Sequence, residues 1–364
     1  MRTTNIHQTS STPFSITYGT GSVSGTSATD TLHIASLSLP LTFGLATNVS
    51  SEFSAYPMDG ILGLGNSPSA SSLSAPQLLS ALAAAKLIPS ALYGIHLPRA
   101  ADGASDGELN LGEVNTALFD GALTWTNAVD NSDGFWEIPV SDAGAGSSML
   151  GARGKSAVLD TGTSYVFMPP DDAAALHALV DGATSKDDET FTVPCDTVTD
   201  LQIKFSDRAF AVSHKDWVGG TVDGGCRSNV FGRDAFGDGR WLVGDVFVKN
   251  VYAVFDLDGG RVGFGVKGKD AGKEGSSKSE GGTGTSIATE TVKTSATSTS
   301  EAGAFLPAKA SAEPTKPPSS QNVAVESAGA SGAAGTTGGS AGGKFGVESL
   351  ALWTGVLGVV ALFV

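Results

Sequence analysis

Ala157-Val158-Leu159-Asp160-Thr161-Gly162-Thr163-Ser164, continued by Tyr165-Val166-Phe167-Met168-Pro169, sets a carboxylate at the tip of an apolar strand. An ionised Asp in a largely apolar turn is costly unless donors surround it. The glycine that follows leaves its backbone N–H accessible, and the Thr and Ser hydroxyls add further donors. A carboxylate held this way is suited to acid and base chemistry. Around this stretch, short apolar runs broken by Gly, Asp, Asn and Ser favour strands and hairpins over long helices. Two helices are expected, over Ala75 to Leu87 and over Asp171 to Val180; Pro169-Pro170 and Asp171-Asp172 form the first turn of the second.

The triplet Asp160-Thr161-Gly162 resembles the active-site triplet of pepsin-like aspartic proteases, and further motifs follow in that family's order. Phe14-Ser15-Ile16-Thr17-Tyr18-Gly19-Thr20-Gly21-Ser22-Val23-Ser24-Gly25 looks like the hairpin flap that closes over substrate. Met58-Asp59-Gly60-Ile61-Leu62-Gly63-Leu64-Gly65 and Trp241-Leu242-Val243-Gly244-Asp245-Val246-Phe247 look like the paired strands threaded beneath the two active turns. Tyr252 to Asp256 and Arg261 to Gly265 read as closing strands, and Glu137-Ile138-Pro139-Val140 as the strand crossing between lobes. Several motifs in correct order are a far stronger signal than a lone triplet.

The resemblance implies an all-β, bilobal fold with an incomplete first lobe over 1–137 and a second lobe over 138–266. It is incomplete because the family carries one triplet per lobe and this sequence has only one. Residues 1 to 13 contain no Asp, Asp30-Thr31 sits where the family has an ordinary strand, and Asp59 is a turn residue. The first strands, the first catalytic Asp and a leader are therefore expected upstream of Met1. Apolar edges around Ile61 and Leu62 are expected to be uncovered.

The net charge of −15 and the lack of a Lys/Arg stripe argue against nucleic acid as a partner. His7, His33, His96, His177 and His214 are scattered, with no pair at ligand spacing, so neither a metal nor another cofactor is expected. The two cysteines, Cys195 and Cys226, read as a disulfide, as the resemblance also implies, or as two buried thiols. A disulfide points to secretion. Asn48-Val49-Ser50 is a candidate N-glycosylation site in the same sense.

Residues 267–345 are rich in Ser, Thr, Gly, Ala and Pro and are expected to form a disordered, O-glycosylated stalk. After Glu348 no charge remains, and the closing run of 16 residues is short for a spanning helix. Residues 346–364 read as a glycosylphosphatidylinositol (GPI) anchor signal with attachment near Ser331, or as a tail-anchoring helix. The layout is similar to fungal GPI-anchored proteases of the yapsin kind, which places the protein at the outer face of the plasma membrane or in the cell wall.

The function this implies is an aspartic endopeptidase acting on polypeptides as a monomer, with Asp160 as one catalytic carboxylate. Tyr18, Gly19 and Thr20 of the flap, with Gly162 and Thr163, would contact substrate. With one such Asp the chain is expected to be inactive by itself. The alternative is an anchored, noncatalytic surface protein that binds peptides.

Overall fold

The computed structural model describes residues 8–18, 21–51, 53, 59–67, 69–70, 73, 75–99, 102–104, 106–268 and 290–295. Strands dominate, as the all-β expectation required. A long hairpin, Gln8–Tyr18 with Gly21–Ile34, pairs onward with Leu37–Val49 to make a three-stranded antiparallel sheet. Its register Tyr18↔Gly21 and Ser15↔Ser24 makes the flap motif a hairpin. Phe14, Val23 and Phe53 form a small core of their own there, with Ile16, Tyr18 and Ile61 packed against it.

Two sheets carry the architecture around Asp160. The first is five-stranded, in the order Val230–Gly232, Val166–Met168, Trp241–Val243, Lys155–Leu159, Glu137–Val140. Three of its strands are buried along their whole length, so each reads as a continuous apolar run rather than an alternating one. The second is six-stranded and interleaves distant segments. Asp106–Leu111 and Leu92–His96 lie beside Val251–Asp256, Arg261–Lys267 and Phe119–Asn127. Tyr93 stacks on Phe255 across this seam, with ring centroids 4.7 Å apart.

Two four-stranded sheets complete the second half. In Arg208–Val212, exposed and buried residues alternate toward the strand's end, as expected for a sheet with one wet face. In the other, Phe191–Val193 and Gly225–Ser228 are neighbours, and Cys195 and Cys226 are joined with Cα atoms 4.9 Å apart.

Several expectations are corrected. The first helix is shorter, Leu78–Ala84, because Ala75–Pro76 pairs with Ser69–Ala70 and the chain turns left-handed at Lys86 (φ 57°). The second helix runs Pro170–His177, one residue earlier at its start and three shorter at its end. Trp241 to Phe247 is not one strand. It is a strand to Val243 followed by the helical turn Asp245–Val248. Residues 59–65 form a single bridge at Gly60, and Met58 lies outside the described residues. Ile61 and Leu62 are not left uncovered, since Ile61 packs on the flap core and Leu62 on the main core. Within the stretch expected to be without structure, Glu290–Ser295 forms a strand along Asp106–Leu111. The β-branched Thr291, Val292 and Thr294 favour that conformation, and the edge of Asp106–Leu111 offers unpaired backbone groups. Ser331 and the segment 346–364 lie outside the described residues.

Candidate active site

Lys155–Leu159 runs parallel to Trp241–Val243, pairing Leu159 with Val243, and on the other side of Val243 lies Val166. The chain therefore leaves the sheet at Leu159 and must return two strands over at Val166, with Val243 between, which forces a tight turn through Asp160 to Tyr165. The Asp160 N–H still reaches the Val243 carbonyl at 3.1 Å, so Asp160 continues the ladder by one residue.

Two donors meet its carboxyl. The Gly162 N–H lies 2.9 Å from Oδ1 and the Thr163 hydroxyl 2.5 Å from Oδ2, while the Thr163 N–H closes the turn on the Asp160 carbonyl at 3.2 Å. A Cβ at position 162 would sit 3.1 Å from Oδ1, so a side chain there would crowd the carboxyl. Burial pushes the Asp160 carboxyl above the ordinary carboxylate value, and the Thr163 and Gly162 hydrogen bonds pull partway back. The result is a carboxyl whose protonated form is favoured by burial and whose ionised form is stabilised by two donors.

The turn is clamped from below. Gly244 N–H donates to the Tyr165 carbonyl (3.0 Å), Asp245 N–H to that of Thr163 (2.8 Å) and Val246 N–H to that of Ser164 (3.2 Å). A Cβ on Gly244 would fall 2.0 Å from the Thr163 carbonyl oxygen. Behind the clamp, Asp245 is buried and its carboxyl is pushed up to about 7. Burial is the main cause; Lys249 opposes it, and Asp160 and Asp216 add to it. Among the described residues its Oδ1 has no hydrogen-bond partner. Asp245 has no role in the motif resemblance, although an Asp in the apolar run Trp241 to Val248 is itself a signal of a buried carboxyl.

Further supports come from distant segments. The Leu64 carbonyl accepts from the Tyr93 hydroxyl (2.7 Å) and the Trp136 indole (2.8 Å). Burial lifts the Tyr93 phenol well above its usual value; the Trp136 hydrogen bond opposes this, and the charge of Asp160 adds to it, so Tyr93 lies in that carboxylate's field. Asp172 accepts from the Trp241 indole and pairs with Lys155, each at 2.8 Å, tying the helix Pro170–His177 to the strand that carries Asp160.

Of the residues singled out in the sequence, the structure brings together Asp160, Gly162 and Thr163. Tyr18 belongs to the separate flap core, edge-on to Phe53 at 5.6 Å, with burial raising its phenol to about 12. Gly19 and Thr20 lie outside the described residues. Asp30 sits within the strand Gly21–Ile34, with Oδ1 accepting the Thr31 N–H at 2.7 Å, a structural position. Asn48 is exposed near the end of Leu37–Val49.

The model of the eukaryotic aspartyl protease family matches residues 2–267. The chain is 43% identical over 252 residues to the aspartic-type endopeptidase ctsD of Aspergillus fumigatus, covering 69% of this chain and 53% of that protein. It is 42% identical over 255 residues to the probable aspartic-type endopeptidase CTSD of Arthroderma otae, covering 69% and 66%. Cathepsin E of Oryctolagus cuniculus is 31% identical over 277 residues, covering 71% and 67%. The chain thus spans about half to two thirds of the length of such curated relatives.

Proposed function

The chain belongs to the eukaryotic aspartyl protease family, and on that premise we propose that it acts as an aspartic-type endopeptidase in which Asp160 supplies one of two carboxyl groups. The observation that carries the reading is the hydrogen-bonded carboxyl of Asp160 at the strand tip, with its acidity lowered by burial. Two facing carboxyls share one proton, because like charges a few ångströms apart do not both ionise. The ionised member takes a proton from water as the water oxygen attacks the peptide carbonyl. The protonated member donates to the carbonyl oxygen, and the amine leaves with a proton as the tetrahedral species collapses. The flap around Tyr18 closes over the extended peptide and pairs with its main chain.

Within the residues given, Asp-Thr-Gly occurs once. The second reading is a noncatalytic peptide-binding surface protein. Both readings share a secreted setting. The Cys195–Cys226 bridge supports it, as does the exposure of Asn48 as a glycan acceptor. Composition over 267–364 supports a stalk ending in a GPI anchor attached near Ser331, at the cell surface or in the wall.

The test is cleavage of quenched fluorescent peptides from pH 3 to 7, with and without a statine-type inhibitor, by the full chain and by Asp160→Asn. Inhibitor-sensitive activity that disappears in Asp160→Asn supports the protease. Silence from a folded protein that still binds peptides supports the second reading and sinks the first.

A further inference from the structure

The face of the five-stranded sheet turned away from the main core is aromatic. Tyr165, Phe167 and Phe231 cluster there with Val158 and Leu242, whereas Ala157, Leu159, Val166 and Val243 face the main core. Asp160 continues its strand two residues beyond Val158, so by alternation its side chain starts from this aromatic face. Leu159 and Val166 both pair with Val243, which sets Tyr165 two strands from the Asp160 strand, roughly 10 Å away on the same face.

Three guanidinium groups lie over these rings or over Phe236 packed against them, and their partners differ. Arg233 sits 5.7 Å above Phe167 and pairs with Glu189. Arg240 sits 4.5 Å above Phe236 and pairs with Asp133, Glu137 and Asp238. Arg227 sits 5.5 Å from the Tyr165 ring and 5.7 Å from that of Phe231, and donates to the Tyr165 hydroxyl at 3.2 Å. Among the described residues no carboxylate pairs with it, and its Nε has no acceptor. It is only half-buried, in a chain with 37 acidic and 22 basic residues.

The position of Arg227 is fixed rather than floppy. It follows the bridged Cys226 and pairs with Thr192 across the sheet. A guanidinium that lies over two rings, is partly stripped of water and has no carboxylate beside it retains donors for one more acceptor, and a carboxylate suits them. We propose that Arg227 selects peptides carrying an Asp or Glu side chain near the bond presented to Asp160, making this a site for acidic peptides. The proposal rests on the peptide-binding cleft of the preceding section.

The test uses two series of quenched peptides sharing one apolar cleavage site, in which a Glu or a Gln is walked through the three positions on each side. Binding by fluorescence anisotropy and cleavage are measured for the full chain, Arg227→Lys and Arg227→Met. At one position Glu should be favoured over Gln by about tenfold or more. The preference should shrink in Arg227→Lys, which keeps the charge but not the fork, and vanish in Arg227→Met, with binding of the Gln peptide unchanged. Equal affinity for Glu and Gln at every position, from protein that binds both, overturns the role of Arg227 alone. So does a preference that survives Arg227→Met, or a Gln-peptide affinity that falls with the Glu one. Failure to bind either series overturns the cleft reading together with it.

Discussion

His177 should make this protein lose stability in acid. The ring is 2% exposed, lies flat on Phe191 at 3.9 Å, and has both nitrogens engaged. Nδ1 lies 2.7 Å from the Ala173 carbonyl, which can only accept, so Nδ1 carries the proton. Nε2, 2.8 Å from the Ser228 hydroxyl, is then the acceptor, while the Ser228 oxygen takes the Val230 N–H at 3.1 Å. A second ring proton would have to displace the Ser228 hydroxyl hydrogen and place a charge in the core. Burial accordingly pushes the imidazole from 6.5 down to about 4, against the opposing pull of the Ala173 carbonyl. The unfolded chain takes up a proton near 6.5 that the folded one refuses until about 4, so this contribution is complete above 6.5 and is lost as pH falls toward 4. Each pH unit in that window is worth ~1.4 kcal/mol, so about 2 to 3 kcal/mol should go between pH 7.5 and 4.5. The assay is urea unfolding of the native chain and of His177→Gln at a series of pH values. The variant should be less stable by about 1–2 kcal/mol at pH 7.5, and the difference should shrink and reverse by pH 4.5. A difference that stays constant with pH would refute the reasoning, because carboxylates shared by both proteins cancel in it.

Asp245 should act with the opposite sign over much of the same range. Its carboxyl, raised from 3.8 to about 7, stays protonated in the fold while the unfolded chain ionises, so its contribution is complete below about 4 and declines as pH rises toward 7. Asp245→Asn should therefore be more stable than the native chain at pH 7 by about 2 kcal/mol or more, with no gain at pH 4; parallel curves from urea titrations at the two pH values would count against it. Reducing the Cys195–Cys226 bridge, with 31 residues of separation, should lower stability by about 3–4 kcal/mol; calorimetry with and without reductant measures it, and an unchanged Tm contradicts it. Gly244→Ala forces a Cβ to within 2.0 Å of the Thr163 carbonyl oxygen, and should cost about 3 kcal/mol or more and loosen the turn holding Asp160. A variant with native Tm and native exchange protection of the Gly162 amide would show that the clamp is not needed.

Local signals were legible in the residues themselves. The apolar run into Asp160-Thr161-Gly162-Thr163 marked a carboxyl at a strand tip, because glycine and hydroxyl donors two and three residues on can reach back to it. Pro169-Pro170 with two acidic residues after them marked a helix start for the same local reason. The four-residue helices His214–Trp217 and Asp245–Val248 were not legible, since one turn leaves no periodicity to read.

The sequence by itself determined the β character of this chain, the position of its reactive turn and, through ordered motifs, its family. Only the tertiary structure decided that Val243 lies between Leu159 and Val166, that Leu64 is pinned by Tyr93 and Trp136, and that Arg227 lies over Tyr165 and Phe231 with no carboxylate paired to it among the described residues. Those pairings join residues tens of positions apart. A strand or turn is fixed by neighbours that are always within reach, whereas a distant partner is chosen only when the whole chain closes its sheets and each charge finds, or fails to find, its counterpart.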